Sequence, residues 1–189
     1  MLHVAFVRNL NQGQRGHVQT ADLVAAFHDA GCHDVSPFQS NGTIVFSGEA
    51  AFAADAMCAL AARTGVEREV FTLAWEDLAD IVDVHRHAED AARRELTLHA
   101  PVHIVLDGHS ESEAARRRCR LLEAEVGWTV AVNERDRESN ATPVIEGLTG
   151  APATSRGLPT LIRLIHRLGC PTARTGEHQF EPSHDGPAP

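Results

Sequence analysis

The dipeptide Asn41-Gly42 is the feature that most limits how this chain can fold. It separates residues 35–39 from the apolar run of residues 43–46, and both of its residues tolerate the positive φ angles that a tight hairpin turn requires. The two flanking segments are therefore predicted to form an antiparallel hairpin. Pro37 can donate no hydrogen bond to a neighbouring strand, which places its segment at the edge of a sheet.

The segments around this hairpin complete a recognisable order of elements. Residues 2–7 are apolar apart from His3, which predicts a strand covered on both faces. Residues 69–73 predict a weaker fourth strand. Two helices are predicted from apolar residues at helical spacing, namely Leu23, Phe27 and Ala30 in the first and Phe52, Ala56, Met57 and Leu60 in the second. This order is that of a split βαβ, or ferredoxin-like, unit whose first and third strands lie inside.

The second half of the chain repeats a similar alternation. Residues 101–106 and 128–132 predict buried strands, residues around Val144 and Ile145 a short strand, and residues 158–168 a closing helix. Between them, Ser110 and Glu113 have the spacing of a capping box. They precede a predicted helix whose apolar stripe is Ala115, Cys119, Leu122 and Val126.

These elements predict an α/β (α+β) protein of two packed ferredoxin-like units with mainly antiparallel sheets. The first unit is expected over residues 1–74 as βαββαβ, and a helical connection over residues 75–96. The second unit is expected over residues 97–169 as βαββα. The apolar content falls after residue 170, so residues 170–189 are expected to be a disordered tail.

Composition excludes several classes of function. All 17 basic residues are arginine and there is no tyrosine, which removes a phosphate-binding lysine, Schiff-base chemistry and a tyrosine general acid. A net charge of -9 disfavours binding of a nucleic-acid backbone. Four cysteines without paired spacing suit a reduced, cytoplasmic protein, and Cys58 and Cys119 are interpreted as buried thiols. No apolar run is long enough to span a membrane.

Several motifs resemble those of one bacterial family. Residues 8–13 read Arg-Asn-Leu-Asn-Gln-Gly, Gln39-Ser40 precede Ile-Val-Phe at 44–46, and a later pattern is matched by Thr154, Arg156, Thr160 and Leu164. They are similar to the domain of unknown function 1697 family, which typically begins Arg-Gly-Ile-Asn-Val-Gly-Gly and later shows Gln-Ser-Gly-Asn-Val-Val-Phe. This chain departs from the pattern at Asn9, Thr43 and residues 157–158. The resemblance implies a two-part α/β fold and no established activity.

The loop of residues 8–17 is the first candidate for a binding site. It leaves a central strand and enters a helix, where α/β sheets present ligands and exposed backbone N–H groups favour anions. Arg8 and Arg15 would supply charge-assisted hydrogen bonds, while Asn11 and Gln12 would bind polar groups. An ordinary polar surface loop is the alternative.

Other residues are predicted to extend this site. Gln39 and Ser40 end an adjacent strand, although hairpin residues need no ligand. Arg156, which the resemblance aligns, would either help to cap the last helix or bind an anion at its N-terminus. His17 is the nearest candidate for a general acid or base. No metal and no cofactor is predicted.

Two further clusters have plain structural explanations. His85, His87, His99 and His103 lie close together in the sequence beside Glu89 and Asp90, but no HExxH motif accompanies them. An exposed turn and one strand histidine explain them more simply than a metal site. The arginines at positions 116–118 and 120 are interpreted as a solvated helix face rather than an anion or nucleic-acid site.

Three functions therefore remain open at this point. The first is binding of a small polar or anionic ligand, such as a nucleotide or an acidic metabolite, at the loop after the first strand. The second is a metal-independent acid/base enzyme that acts on a small molecule. The third is an adaptor for a protein or nucleic acid that uses exposed edge strands or the arginine helix. The oligomeric state is left open, and no membrane partner is expected.

Overall fold

The computed structural model describes residues 1–10 and 18–168. Its first sheet contains four antiparallel strands in the order β2-β3-β1-β4. The two inner strands are thus the first and third, as the sequence predicts. The elements of this half are β1 (Leu2–Val7), α1 (Thr20–Asp29), β2 (His33–Phe38), β3 (Thr43–Ser47), α2 (Phe52–Thr64) and β4 (Val70–Ala74).

The second half has the same topology. Its sheet follows the order β6-β7-β5-β8 and is again antiparallel, so the chain consists of two ferredoxin-like units. This confirms the predicted α+β fold. The elements are α3 (Trp75–His85), a short 3-10 helix (Ala91–Arg93), β5 (Arg94–His99), α4 (Gly108–Arg116), β6 (Cys119–Glu125), β7 (Trp128–Asn133), α5 (Ala141–Thr149), β8 (Ala153–Gly157) and α6 (Leu158–Leu168).

The apolar core consists of three clusters, one between the two sheets and one on the outer face of each sheet. One face of the first sheet packs against α1 and α2, and one face of the second sheet packs against α4 and α5. The remaining faces enclose a shared core with α3 and α6, to which β1 contributes Val4 and Phe6 and β5 contributes Leu96 and Leu98. Burial of this shared apolar surface holds the two units together.

The predicted hairpin at Asn41-Gly42 is present and packs closely against the end of β1. The backbone N–H of Val7 donates to the carbonyl oxygen of Gly42 at 2.8 Å. Gly42 has a φ of +75°, and a Cβ at that position would lie 2.9 Å from the carbonyl oxygen of Val7. Only glycine therefore allows the turn to approach β1 this closely.

The predicted strand over residues 101–106 is wrong. The first strand of the second sheet is β5, which begins at Arg94 inside the segment predicted as a helical connection. Residues 102–106 form no regular structure, and Val105 is 60% exposed. Leu96 and Leu98 face the shared core, but the opposite face of β5 is also buried and carries polar residues with hydrogen-bond partners, which hides the strand in the sequence. These residues are Glu95, Thr97 and His99.

Two other predictions in the second half are also wrong. The helix predicted from Ser110 to Val126 ends at Arg116, and the rest forms β6, because Arg118 takes a positive φ of 58° that interrupts the helix. Its N-cap is Asp107, whose carboxylate accepts from the backbone N–H groups of His109 and Ser110.

The short strand predicted around Val144 and Ile145 is part of helix α5. The last strand of the unit is instead β8, which the sequence did not predict as a strand and which completes a second βαββαβ unit. Among residues 1–10 and 18–168, no helix has the length and apolar character needed to cross a membrane.

Candidate functional site

Arg8 lies directly after β1 and connects the two units. Its guanidinium contacts the carboxylate of Glu69 at 3.1 Å and that of Glu146, from α5, at 2.7 Å. Its Nε also donates to the carbonyl oxygen of Ala153 in β8 at 3.2 Å. The predicted cation is therefore compensated by two carboxylates, and part of its role is to join β1 to the second sheet.

Arg156 is the second predicted cation, and it is buried. Its side chain reaches from β8 to the first sheet, where it donates to the carbonyl oxygens of Val7 at 3.1 Å and Asn41 at 2.5 Å. The guanidinium also lies 5.0 Å from the ring centroid of Phe6, which allows a cation–π contact. Further bonds go to Thr43, Thr154 and Ser155.

The charge of Arg156 has no carboxylate partner among the described residues. Burial lowers the pKa of Arg156 to about 10, so the side chain remains protonated at neutral pH. Its hydrogen bonds number five, one for each N–H of a guanidinium. Arg156 therefore has no donor left for a ligand at the N-terminus of the last helix. Its hydrogen bonds join the two sheets instead.

The turn between β2 and β3 lies beside Arg156, but its polar side chains point elsewhere. Gln39 and Ser40 are exposed, and Asn41 uses its side-chain oxygen to accept from the backbone N–H of Thr43 at 3.3 Å. Gln39 has a positive φ of 57°. The predicted residues Asn11, Gln12, Arg15 and His17 lie outside the described residues.

A cavity of about 330 Å³ opens beside Arg8 on the β4 side of the sheet. It is lined by Arg8, Asn9, Glu67, Arg68 and Glu69. Asn9 has a positive φ of 52°. The sequence did not single out Arg68, whose only signal was its place between two glutamates just before a predicted strand.

Arg68 differs from Arg8 in its partners. One terminal nitrogen donates to the carbonyl oxygen of Glu67 at 2.8 Å, whereas its Nε is shielded from water and has no hydrogen-bond partner. No carboxylate of the described chain lies within ion-pair distance of Arg68. The cavity thus contains one compensated cation, one cation without an ion pair, and the carboxylate of Glu67, which also forms no ion pair with a described residue. The N–H groups of Arg68 suit a ligand that carries hydrogen-bond acceptors.

Of the four clustered histidines, His85, His87 and His99 are hydrogen-bonded to other protein groups, and His103 is exposed. In the described part of the chain, no three histidine, cysteine or acidic side chains are placed to hold a metal ion. His85 accepts from Arg94 at 2.6 Å and lies 3.1 Å from a carboxylate oxygen of Glu123. The hydrogen bond from Arg94 also lowers the pKa of Asp90. His99 is buried against Thr129.

The arginine cluster on the predicted helix is dispersed. Arg116 forms an ion pair with Glu113, and Arg118 one with Glu138 at 3.2 Å. Arg120 lies on β6 rather than on the helix. The four arginines at positions 116–118 and 120 therefore do not share one helix face.

Two of the three described cysteines are buried thiols. Burial raises the pKa of Cys119 to about 11 and also raises that of Cys32, so neither is a ready nucleophile at neutral pH. Cys58 is exposed, which corrects its interpretation as a buried residue.

Comparison with protein families decides the affiliation of the chain. The family model described as protein of unknown function DUF1697 matches residues 1–125. The chain belongs to this family. The residues matched to DUF1697 include β1, the turn at Gly42 and all five residues that line the cavity described above. No curated protein matches the chain.

A solved structure shares the DUF1697 protein's fold. The conserved bacterial protein SP0830 from Streptococcus pneumoniae superimposes with a TM-score of 0.55 at 14% sequence identity. The match covers 89% of this chain and 98% of the SP0830 chain. At this identity the likeness concerns the fold alone, and both ferredoxin-like units fall within it.

Proposed function

We propose that this DUF1697 protein binds a small polar or anionic ligand, such as a nucleotide or an acidic metabolite, in the cavity beside Arg8 and Arg68. The volume of about 330 Å³ is within the range of small-molecule sites, about 300–1,000 Å³. A cytoplasmic location, which remains a prediction, would give access to such ligands.

The unsatisfied side chain of Arg68 is the observation that supports this proposal most. Its Nε is shielded from water without a hydrogen-bond partner, and such a buried donor costs about 1–3 kcal/mol while it stays unsatisfied. A phosphate or carboxylate in the cavity would accept from the terminal N–H groups of Arg68 and compensate its charge, and a shift of the side chain on binding would bring the shielded Nε–H to the ligand. Ligand binding would therefore recover free energy that the unliganded protein lacks.

Arg8 would act as the second cation of the site. Its contacts with the described residues use Nε and one N–H on each terminal nitrogen, which leaves two of the five N–H groups of a guanidinium. Glu69 and Glu146 hold the guanidinium in a fixed orientation. A ligand would thus meet a preorganised donor at little cost in side-chain entropy.

The backbone beside the cavity supports the same location. Asn9, which lines the cavity, and Gln39, in the neighbouring turn, have φ angles of 52° and 57°. Left-handed conformations of residues other than glycine are uncommon and cost free energy, and three others occur away from the cavity, at Asp34, Arg118 and Arg137. Both residues flank the end of β1.

Thermal-shift measurements with inorganic phosphate, nucleotides and dicarboxylates test this proposal. A ligand that binds the native state raises the stability of the wild-type protein, by about 2.7 kcal/mol at a concentration of 100 times Kd. R68Q should abolish that increase. R63Q is the matched control, because Arg63 pairs with Asp29 on α1 away from the cavity, and it should retain the increase.

Two results would count against the site. One is a stability increase of equal size in R68Q and the wild type, which would place the ligand elsewhere. The other is the absence of any increase across all three ligand classes. The enzyme alternative rests on His17, which lies outside the described residues, and no observed contact favours it.

A further inference from the structure

The outer strands of the two sheets differ in how their free edges are protected. An unpaired edge exposes backbone N–H and C=O groups that can bind another chain, and proteins usually block it with proline, bulges or charges. β2 contains Pro37 and a break in register between His33 and Ser36. β6 carries charged residues and a break in register between Leu121 and Glu123.

The edge of β8 is blocked by side chains. The N–H of Ala153 donates to the carboxylate of Glu146 at 3.2 Å, and its carbonyl oxygen accepts from Arg8 at 3.2 Å. The carbonyl oxygen of Ser155 accepts from Arg156 at 2.8 Å. These bonds occupy both backbone groups of Ala153 and the carbonyl oxygen of Ser155.

The edge of β4 has none of these devices. Its sequence is Val-Phe-Thr-Leu-Ala, without proline, charge or a break in register. The backbone N–H of Arg8 donates to the carbonyl oxygen of Glu69 at 2.9 Å, so Arg8 and Glu69 are a hydrogen-bonded pair. Such pairs alternate with pairs that are not hydrogen-bonded, and the backbone groups of Val70 and Thr72 therefore point away from β1. Those groups have no hydrogen-bond partner among residues 1–10 and 18–168.

This open edge forms one wall of a groove of about 460 Å³. The opposite wall contains the end of β5 and the turn between β6 and β7, including Val126 and Trp128. Val126 is 57% exposed, and Phe71 and Trp128 are half-buried. The groove therefore offers apolar contacts alongside unpaired backbone groups.

The charges near this groove are acidic. Trp128 also lines a second groove, of about 190 Å³, together with Asp77, Asp80 and Glu123. Asp77 and Asp80 are exposed and form no ion pair with another described residue. No arginine lines either groove. A partner that follows β4 toward the start of α3 would thus meet uncompensated negative charge.

We propose that β4 binds an extended peptide segment of a partner protein by β-strand addition. The segment pairs its backbone with Val70 and Thr72 and packs apolar side chains on Phe71, Val126 and Trp128. Arginine or lysine at its end beside α3 contacts Asp77 and Asp80. Backbone hydrogen bonds supply affinity in this mode, while side-chain contacts supply specificity.

Fluorescence anisotropy with synthetic peptides tests this inference on the full chain. The probes are two labelled peptides of about six residues, a length suited to pairing with one strand. Both contain valine and leucine, and the arginines stand at the C-terminal end of one peptide and at the N-terminal end of the other. Binding by at least one of the two peptides is expected. Replacement of the arginines by glutamates, and N-methylation of alternate backbone nitrogens, should each weaken it at least about tenfold.

Protein variants locate the peptide on the molecule. V126R introduces a positive charge on an exposed side chain and should weaken binding at least about tenfold. V105R is the matched control, since Val105 is similarly exposed at 60% and lies outside the groove, and its affinity should equal that of the wild type. R68Q should also leave peptide affinity unchanged, which separates this surface from the ligand cavity.

Three outcomes would overturn the inference. They are no binding by either arginine peptide up to about 1 mM, equal affinities of V126R and V105R, and equal affinities of the N-methylated and unmodified peptides. A wild-type protein that dimerises in sedimentation equilibrium, with dimerisation lost in V126R, would instead assign the edge to a second copy of the chain.

Discussion

The guanidinium of Arg156 donates to the backbone carbonyl oxygen of Val7 at 3.1 Å and thereby links β8 of the second sheet to β1 of the first. The same side chain also bonds to the carbonyl oxygen of Asn41 in the turn that packs on Val7. One residue thus fixes the end of a central strand, the neighbouring hairpin and the second sheet. The cavity beside Arg8 depends on this arrangement because Arg8 follows Val7 directly.

Removal of Arg156 should destabilise the protein strongly. R156M leaves the buried carbonyl oxygen of Val7 and the partly buried one of Asn41 without this donor, and we expect a loss of about 3 kcal/mol or more in the free energy of unfolding. Urea denaturation followed by circular dichroism measures this loss. R163M, at an exposed position of α6, should change stability by less than about 0.5 kcal/mol. A loss in R156M as small as in R163M would contradict the linking role.

Glu95 should be equally intolerant of change. Its buried carboxylate accepts from the backbone N–H groups of Asn140 and Ala141 at the start of α5, and from Asn133 and Ser139. We expect E95L to cost about 2–5 kcal/mol, because the N–H of Ala141 and the hydroxyl of Ser139 lose their acceptor, while Asn140 and Asn133 each keep one other acceptor. The measurement is the urea midpoint. If E95L were as stable as the wild type, this prediction would be contradicted, and water or a backbone adjustment would have replaced the carboxylate.

His99 should make stability depend on pH on the acid side. Burial lowers the pKa of His99 below its usual value of 6.5, so the unfolded state binds more protons than the folded state. Its contribution is therefore complete above pH 6.5 and is lost as pH falls below that value.

The comparison of wild type with H99Q isolates this contribution. The slope of unfolding free energy against pH between about pH 5 and pH 7 should be steeper for the wild type. Thermal or urea unfolding at several pH values provides the slopes. Identical slopes would mean that other groups cause the acid sensitivity.

The ion pair between Arg8 and Glu146 should contribute little energy despite its position. Both side chains are 30% exposed, and partly exposed ion pairs are worth about 0–1 kcal/mol. A double-mutant cycle with R8M and E146Q measures the coupling, which should decrease at high salt. A coupling well above about 2 kcal/mol, unaffected by salt, would indicate that the pair behaves as a buried network.

The fold of the first unit could be predicted from its sequence, because the apolar residues of its local patterns are the ones that the structure buries. β1 is apolar on both faces and is central, and Asn41-Gly42 forms the expected turn. The second unit departs from its patterns. β5 places Glu95 and His99 inside, whereas Val102, Val105 and Leu106 of the apolar run are exposed. Hydrophobicity therefore predicts the wrong strand.

The candidate site was predictable only in part. The sequence located Arg8 at the end of a central strand, and the family resemblance drew attention to Arg156. It could not show that carboxylates from distant segments compensate Arg8, since Glu146 lies 138 positions away on a helix that was predicted as a strand. Arg68 became a candidate only through a property of the folded chain, the shielding of its Nε.

The most direct test of the account observes the Arg68 side chain itself. In ¹⁵N-resolved NMR spectra, the Arg68 Nε–H signal, assigned by its loss in R68Q, is followed during titration with the ligand that gives the largest thermal shift. We predict a saturable shift of this signal, while the Nε–H signal of Arg63 stays unchanged. An Arg68 signal that stays fixed while the protein is saturated with ligand would contradict it.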